Sequence, residues 1–199
     1  MDRGTEAVID SVAGIAEGDD AMHYDRVSIA LHWATAALVI AQFVTAQTWG
    51  WFDRPTHRFL VITHMSLGVL LTAVIVARLV WRLLPGHRVA PLTAGWQTIA
   101  ARAVHGLLYL LLAAEAVLGW IGRWSEGKPL NFFGLLLQPP FAAWSREEHH
   151  MMMERHELVG WIIVVLAFGH ALAALYHHYH VRDRVLVRMA PWVKAPLAR

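Results

Sequence analysis

The chain has 199 residues, 57% hydrophobic and 16% charged, with a formal net charge of +2 and a mean hydropathy of +0.42. That balance is too apolar for an ordinary soluble domain and fits a multi-pass membrane protein, and so small a charge gives no footprint for nucleic acid. Cysteine is absent, which excludes disulfides, iron–sulfur clusters and thiolate ligation of any metal.

Residues 1–21 are acidic (Asp2, Glu6, Asp10, Glu17, Asp19 and Asp20) and lack the basic start and apolar run of a signal peptide. They read as a disordered tail, with Met22 an alternative start because the patterned sequence begins there. A spanning helix needs about 20 mostly apolar residues, and four segments supply them: 27–49, 59–83, 98–121 and 157–178. The first is broken only by Ser28, His32, Thr35, Gln42, Thr45 and Gln47. The second ends in Arg78, Trp81 and Arg82, which snorkel to an interface, before Pro85 and Gly86 stop it. The third carries His105 and Glu115 within its apolar run, and the fourth opens at Arg155–His156 and runs out into Tyr176–His180.

The expected fold is therefore all-α: an integral membrane four-helix up-down bundle over residues 22–192, followed by a short tail at 193–199. Such bundles bury cofactors between facing helices. Eleven lysines and arginines fall on the side of the two termini against six on the other (Arg54, Arg58, Arg123, Lys128, Arg146 and Arg155). The bias predicts both termini in the cytoplasm. The connection 122–155 contains Pro129, Pro139 and Pro140 and is expected to fold over the outer surface, because long structureless loops are uncommon.

Four histidines lie in or at the ends of the apolar segments, each followed four residues later by a small residue: His32 by Ala36, His64 by Gly68, His156 by Gly160 and His170 by Ala174. An imidazole in a bilayer is costly unless something holds it. Haem iron does so through two neutral imidazoles, one on each face, and a small residue one turn away leaves room for the flat ring. His156 and His170 are 14 residues apart, about 21 Å along a helix and nearly on one face. Depth matching then pairs His170 with His32 near the cytoplasm and His156 with His64 near the outside. The reading is two b-type haems (heme b), with those four histidines as iron ligands and Gly68 and Gly160 beside them. For any one histidine the alternative is a buried ring satisfied by hydrogen bonds.

His105, His177 and His178 lie near the cytoplasmic end as quinone or propionate contacts, or as simple interfacial histidines. Arg26 and Arg78 are placed to neutralise the inner haem's propionates. Arg54, His57, Arg58, Lys128 and Arg155 cluster near the outer site, a cationic rim that attracts an anion, or ordinary propionate and surface charge. Glu115 is an intramembrane carboxylate, either a proton relay or a hydrogen-bonded helix contact. The run His149-His150-Met151-Met152-Met153 suits a soft metal such as copper, or is simply a loop beside the outer haem.

Tyr24-Asp25-Arg26 leading into Leu31-His32-Trp33, His64 with Gly68, and Arg155-His156-Glu157, Gly169-His170 and His177-His178 together resemble the bacterial cytochrome b-561 family. The resemblance covers about residues 22–192. It implies a multi-pass protein of the bacterial inner (cytoplasmic) membrane with two b-type haems on His32, His64, His156 and His170, exchanging electrons with ubiquinone or another quinone. Some members are thought to oxidise superoxide at the outer face. Related four-helix cytochromes instead serve as haem-bearing anchors for partner subunits of hydrogenases or formate dehydrogenases. A haem-free histidine-rich transporter is the third reading.

Overall fold

The computed structural model describes residues 24–84 and 95–195. The acidic tail at 1–21, the Pro85–Gly86 stop and residues 196–199 lie outside the described residues. Four helices are long and apolar enough to cross a membrane. Helix α1 (Arg26–Thr48) starts where the Asp25 carboxylate accepts the Ser28 N–H at 2.9 Å, satisfying a donor the helix cannot. A 3₁₀ turn (Trp49–Trp51) leads into α2 (Arg54–Leu83), whose first turn carries Pro55. Helix α3 spans Trp96–Ser125. Helix α4 (Arg146–Tyr176) begins with a reciprocal cap between Ser145 and Glu148 and passes into a π-helical turn (His177–Val181).

Two of these starts correct the sequence reading. Helix α2 begins at Arg54 rather than 59, and α4 at Arg146 rather than 157. His156 therefore does not open α4. It lies ten residues into it, and the His149–Met153 run is helical rather than in a loop. Hydropathy marks the lipid-covered length of a helix; the polar turns beyond it are set by caps, here Pro55 and the Ser145-Glu148 pair.

The helices form two antiparallel hairpins, α1 with α2 and α3 with α4. Across the first, Arg78 meets His32 and His64 meets Gln42. Across the second, His105 meets His170, and Gly119 lies against His156. The hairpins are joined by Trp120 donating to Thr72 Oγ1 at 3.1 Å and by Phe43 edge-on to Trp161. Midway between the ends, Leu71, Ile75, Leu112 and Ile163 form a small buried core. Ile163 is seven residues from both His156 and His170, so this apolar layer separates a histidine level toward the 126–145 connection, the end expected to be outer, from one toward the chain termini, the end expected to be inner. Most large apolar side chains instead face outward, among them Ile40, Phe59, Leu110, Val165 and Phe168. A lipid-covered bundle requires that inversion.

The outer connection folds back as a two-stranded hairpin, β1 (Leu130–Phe132) with β2 (Leu135–Leu137). Its turn puts Phe133 and Gly134 at φ 48° and 98°, where glycine costs little and phenylalanine is unusual. Fully buried Ser66 of α2 holds the hairpin from below, donating to the Asn131 carbonyl at 3.2 Å and accepting the Phe133 N–H at 2.9 Å. Trp124 and Arg123 of α3 donate to the carbonyls of Leu137 and Pro129.

Candidate functional site

His64, His156 and Glu115 share one level of the bundle. Each lies ten residues from the outer end of its helix, counted from Arg54, Arg146 and Ser125. They line a cavity of about 730 Å³ together with Gln42, Gly68, Gly119, Trp120, Met153 and Gly160. The His64 and His156 rings have centres 6.3 Å apart and planes at 87°.

The two rings are held differently. His64 Nδ1 lies 3.1 Å from the Gln42 carbonyl and 3.3 Å from Thr45 Oγ1. An Nδ1–H donating to that carbonyl fixes the tautomer and leaves Nε2 free as a metal ligand. His156 Nδ1 instead faces the Glu115 carboxylate at 3.2 Å. Beta-carbons are missing where the site needs space. One on Gly68 would lie 2.9 Å from Gln42 Nε2, one on Gly119 would lie 3.1 Å from His156 Cε1, and one on Gly160 would lie 3.1 Å from Glu115 Oε1.

The residues present fit a bis-imidazole haem. Imidazole–metal bonds are about 2 Å long, so two rings sharing one iron stand about 6 Å apart between centres, which matches the outer pair. The cavity, the three glycines and the anchored Nδ1 of His64 are what such a group requires.

At the inner level Arg78 Nη2 donates to His32 Nδ1 at 3.1 Å, and the His105 and His170 rings are 5.1 Å apart. Arg78 and Arg82 both stack over Tyr109 at 5.1 and 5.6 Å. Three imidazoles and an arginine thus converge between the hairpins, and His105 joins His170 more closely than its sequence placement as a secondary contact implied. Arg78 donating to Nδ1 leaves the proton of a neutral His32 on Nε2. Ligation through Nε2 needs that contact to open.

The remaining sequence candidates fall in several places. His177 Nδ1 is 2.5 Å from Asp183, and His178 is buried in the π-helical turn. Arg26 is exposed at the start of α1. Arg54, Arg58, Lys128 and Arg155 are exposed, and none lines the outer cavity. Arg123 does line it, and Glu126 binds both Arg123, at 2.7 Å, and Lys128. Partial burial pushes the Glu126 carboxyl up, but Lys128 and Arg123 hold it below the usual carboxylate range. His149 faces Ser125 Oγ at 2.8 Å while His150 faces Glu154. Among the described residues no three His, Cys, Asp or Glu side chains group to hold a bare ion, and the two imidazoles of the soft-metal run point to different partners. Gln42, Ser66, Gly119 and Arg123 were not singled out from sequence. Gly119 had a usable signal, since it follows Glu115 by one helical turn.

A family model described as prokaryotic cytochrome b561 matches residues 23–192. The chain belongs to the prokaryotic cytochrome b561 family. Among its relatives, cytochrome b561 homolog 2 of Escherichia coli (strain K12) is 32% identical over 170 residues, covering 83% of this chain and 90% of the relative. Cytochrome b561 homolog 1 of the same organism is 30% identical over 175 residues, covering 84% and 97%. A probable superoxide oxidase CybB of Yersinia pestis is 26% identical over 170 residues, covering 84% and 96%. Membership makes this four-helix chain a membrane electron-transfer cytochrome of the b561 family, which implies b-type haem.

Proposed function

We propose that this b561-family chain carries electrons across the bacterial inner membrane between an outer-face donor and a quinone, with two bis-histidine haems. The observation that carries the reading is the His64–His156 pair, 6.3 Å apart across a glycine-lined cavity. His64 and His156 would hold the outer haem, and His32 and His170 the inner one. Bound there, haem would supply one-electron exchange between ferric and ferrous iron.

The chain's own residues supply the rest. The Gln42 carbonyl orients His64, and the Leu71, Ile75, Leu112 and Ile163 layer keeps water from between the two levels. Arg78 sets positive charge at the inner level, where it would balance propionates, and His105, His177 and His178 are the candidate contacts for a quinone or a propionate. The relative named as a probable superoxide oxidase supports superoxide as the donor, and Arg123 at the cavity supplies a cation toward an anionic donor, beside the exposed Arg54, Arg58, Lys128 and Arg155.

The test is purification in mild detergent, followed by haem quantification and a screen of donors with ubiquinone analogues. Reduction of the isolated chain by superoxide and reoxidation by quinone is the expected result. Reduction only on adding a co-purified subunit would establish the anchor reading instead, and absence of haem would reject both.

A further inference from the structure

Glu115 and His156 form a reciprocal contact across α3 and α4. Glu115 projects from α3 over Gly160 of α4, and His156 projects from α4 over Gly119 of α3. The two glycines sit one helical turn from the two polar residues, 115 to 119 and 156 to 160. Each helix thus leaves space for the other's functional side chain. Without Gly160 or Gly119, an added β-carbon would press on the carboxylate or the ring at 3.1 Å.

The pair is close but incompletely bonded. Glu115 Oε1 is 3.2 Å from His156 Nδ1, yet Nδ1 has no aligned hydrogen-bond partner and neither has Glu115 Oε2, although both atoms are buried. Buried polar atoms are nearly always satisfied. A modest turn of the ring, which the missing β-carbon at Gly119 permits, brings Nδ1–H onto the carboxylate. His64 across the cavity already has a carbonyl in the equivalent place. The two imidazoles therefore face acceptors of different charge.

We infer that Glu115 is a positioning residue for the outer haem, holding the His156 imidazole by Nδ1 and making it the more electron-rich of the two axial ligands. This rests on the bis-histidine reading above. A carboxylate acceptor raises the basicity of a ligating imidazole, and an electron-rich ligand favours ferric over ferrous iron. The outer haem is then held at a lower potential than a carbonyl-supported pair would give, while the inner level, where Arg78 rather than a carboxylate meets His32 Nδ1, is unaffected. Of the two sequence readings of Glu115, a proton relay or a hydrogen-bonded helix contact, this role is a form of the second, exerted through the ring of His156.

The experiment is a spectroscopic redox titration of the purified, haem-loaded full chain, with EPR of the oxidised protein. Glu115→Gln keeps an acceptor without the charge. It is expected to retain both haems, move one titration wave to more positive potential, and leave the low-spin EPR signals unchanged in shape. Glu115→Ala removes acceptor and charge, and is expected to move the same wave and also alter one EPR signal as the ring is released. Glu147→Gln removes an exposed carboxylate from the first turn of the same helix as His156, outside the cavity lining, and is expected to leave the waves in place. An unchanged wave in Glu115→Gln with haem intact would overturn the inference. So would an equal shift in Glu147→Gln, which would make the effect one of general charge. Should Glu115→Ala fail to hold haem, the Glu115→Gln titration decides alone. A parent protein without haem would overturn the reading beneath the inference and is seen before any variant is titrated.

Discussion

His64 and His156 face each other with ring planes at 87°. Near-perpendicular imidazoles on one ferric iron leave its two π-type d orbitals nearly equal in energy and give a strongly anisotropic low-spin EPR signal. We expect one such signal from the oxidised protein, lost in both His64→Ala and His156→Ala. Two signals of ordinary rhombic shape would mean that the rings turn parallel when haem binds.

The pairing across levels predicts how single ligand losses group. His64→Ala and His156→Ala should remove or alter one haem's absorption, and His32→Ala and His170→Ala the other's. Identical difference spectra from His64→Ala and His170→Ala would show that the pairs run differently. The contact between His105 and His170 makes His105→Ala the informative addition: it should leave both haems in place.

The glycines offer a steric test. Gly68→Leu and Gly160→Leu place side chains into the outer cavity, against Gln42 and Glu115, whereas nothing lies within 4 Å of a β-carbon at Gly106. Overpacking costs about 1–3 kcal/mol, so the first two should lower haem occupancy and Gly106→Leu should not. Equal occupancy in all three, measured as haem per protein, would dissociate the glycines from the site.

Much of this was readable in the sequence, and the parts that were not share a cause. The four spans follow from hydropathy because lipid demands an unbroken apolar surface, and the ligand candidates stand out because imidazole there is costly. The early starts of α2 and α4 were hidden because Arg54, His57 and the polar turn 146–155 give no hydropathy signal. The β1–β2 hairpin lacks the Asn-Gly or Asp-Gly turn that announces one; Phe133 occupies the left-handed position instead. Glu115 was visible as an anomaly, but its partner was not. That His156 would face it depends on how α3 and α4 rotate against each other, which two glycines settle only once the helices are packed.

Ser66 makes the hairpin's attachment testable. Ser66→Ala removes both bonds to the hairpin and leaves the Phe133 N–H without its acceptor. Losing a partner from a buried polar group costs about 1–3 kcal/mol. The expected result is a lower thermal midpoint and faster proteolysis within 126–145, with the haem spectra retained. An unchanged midpoint and cleavage pattern would show that the other anchors, at Trp124 and Arg123, suffice.

Donor entry is tested by charge. If the donor is a small anion, its reduction rate should fall as ionic strength rises. Reversal at Arg54 and Arg58 should slow it, and Glu126→Gln, which frees Arg123 and Lys128 from their shared carboxylate, should speed it. Rates indifferent to salt and to all three changes would remove the cations from the mechanism.

The central claim is that two pairs of histidines hold two haems in this one chain. A pyridine haemochrome assay on the purified protein, set against its protein concentration, addresses that claim most directly. The account predicts about two b-type haems per chain, falling toward one in His64→Ala. A ratio near one in the parent protein, unchanged when haem is supplied in excess, would contradict it.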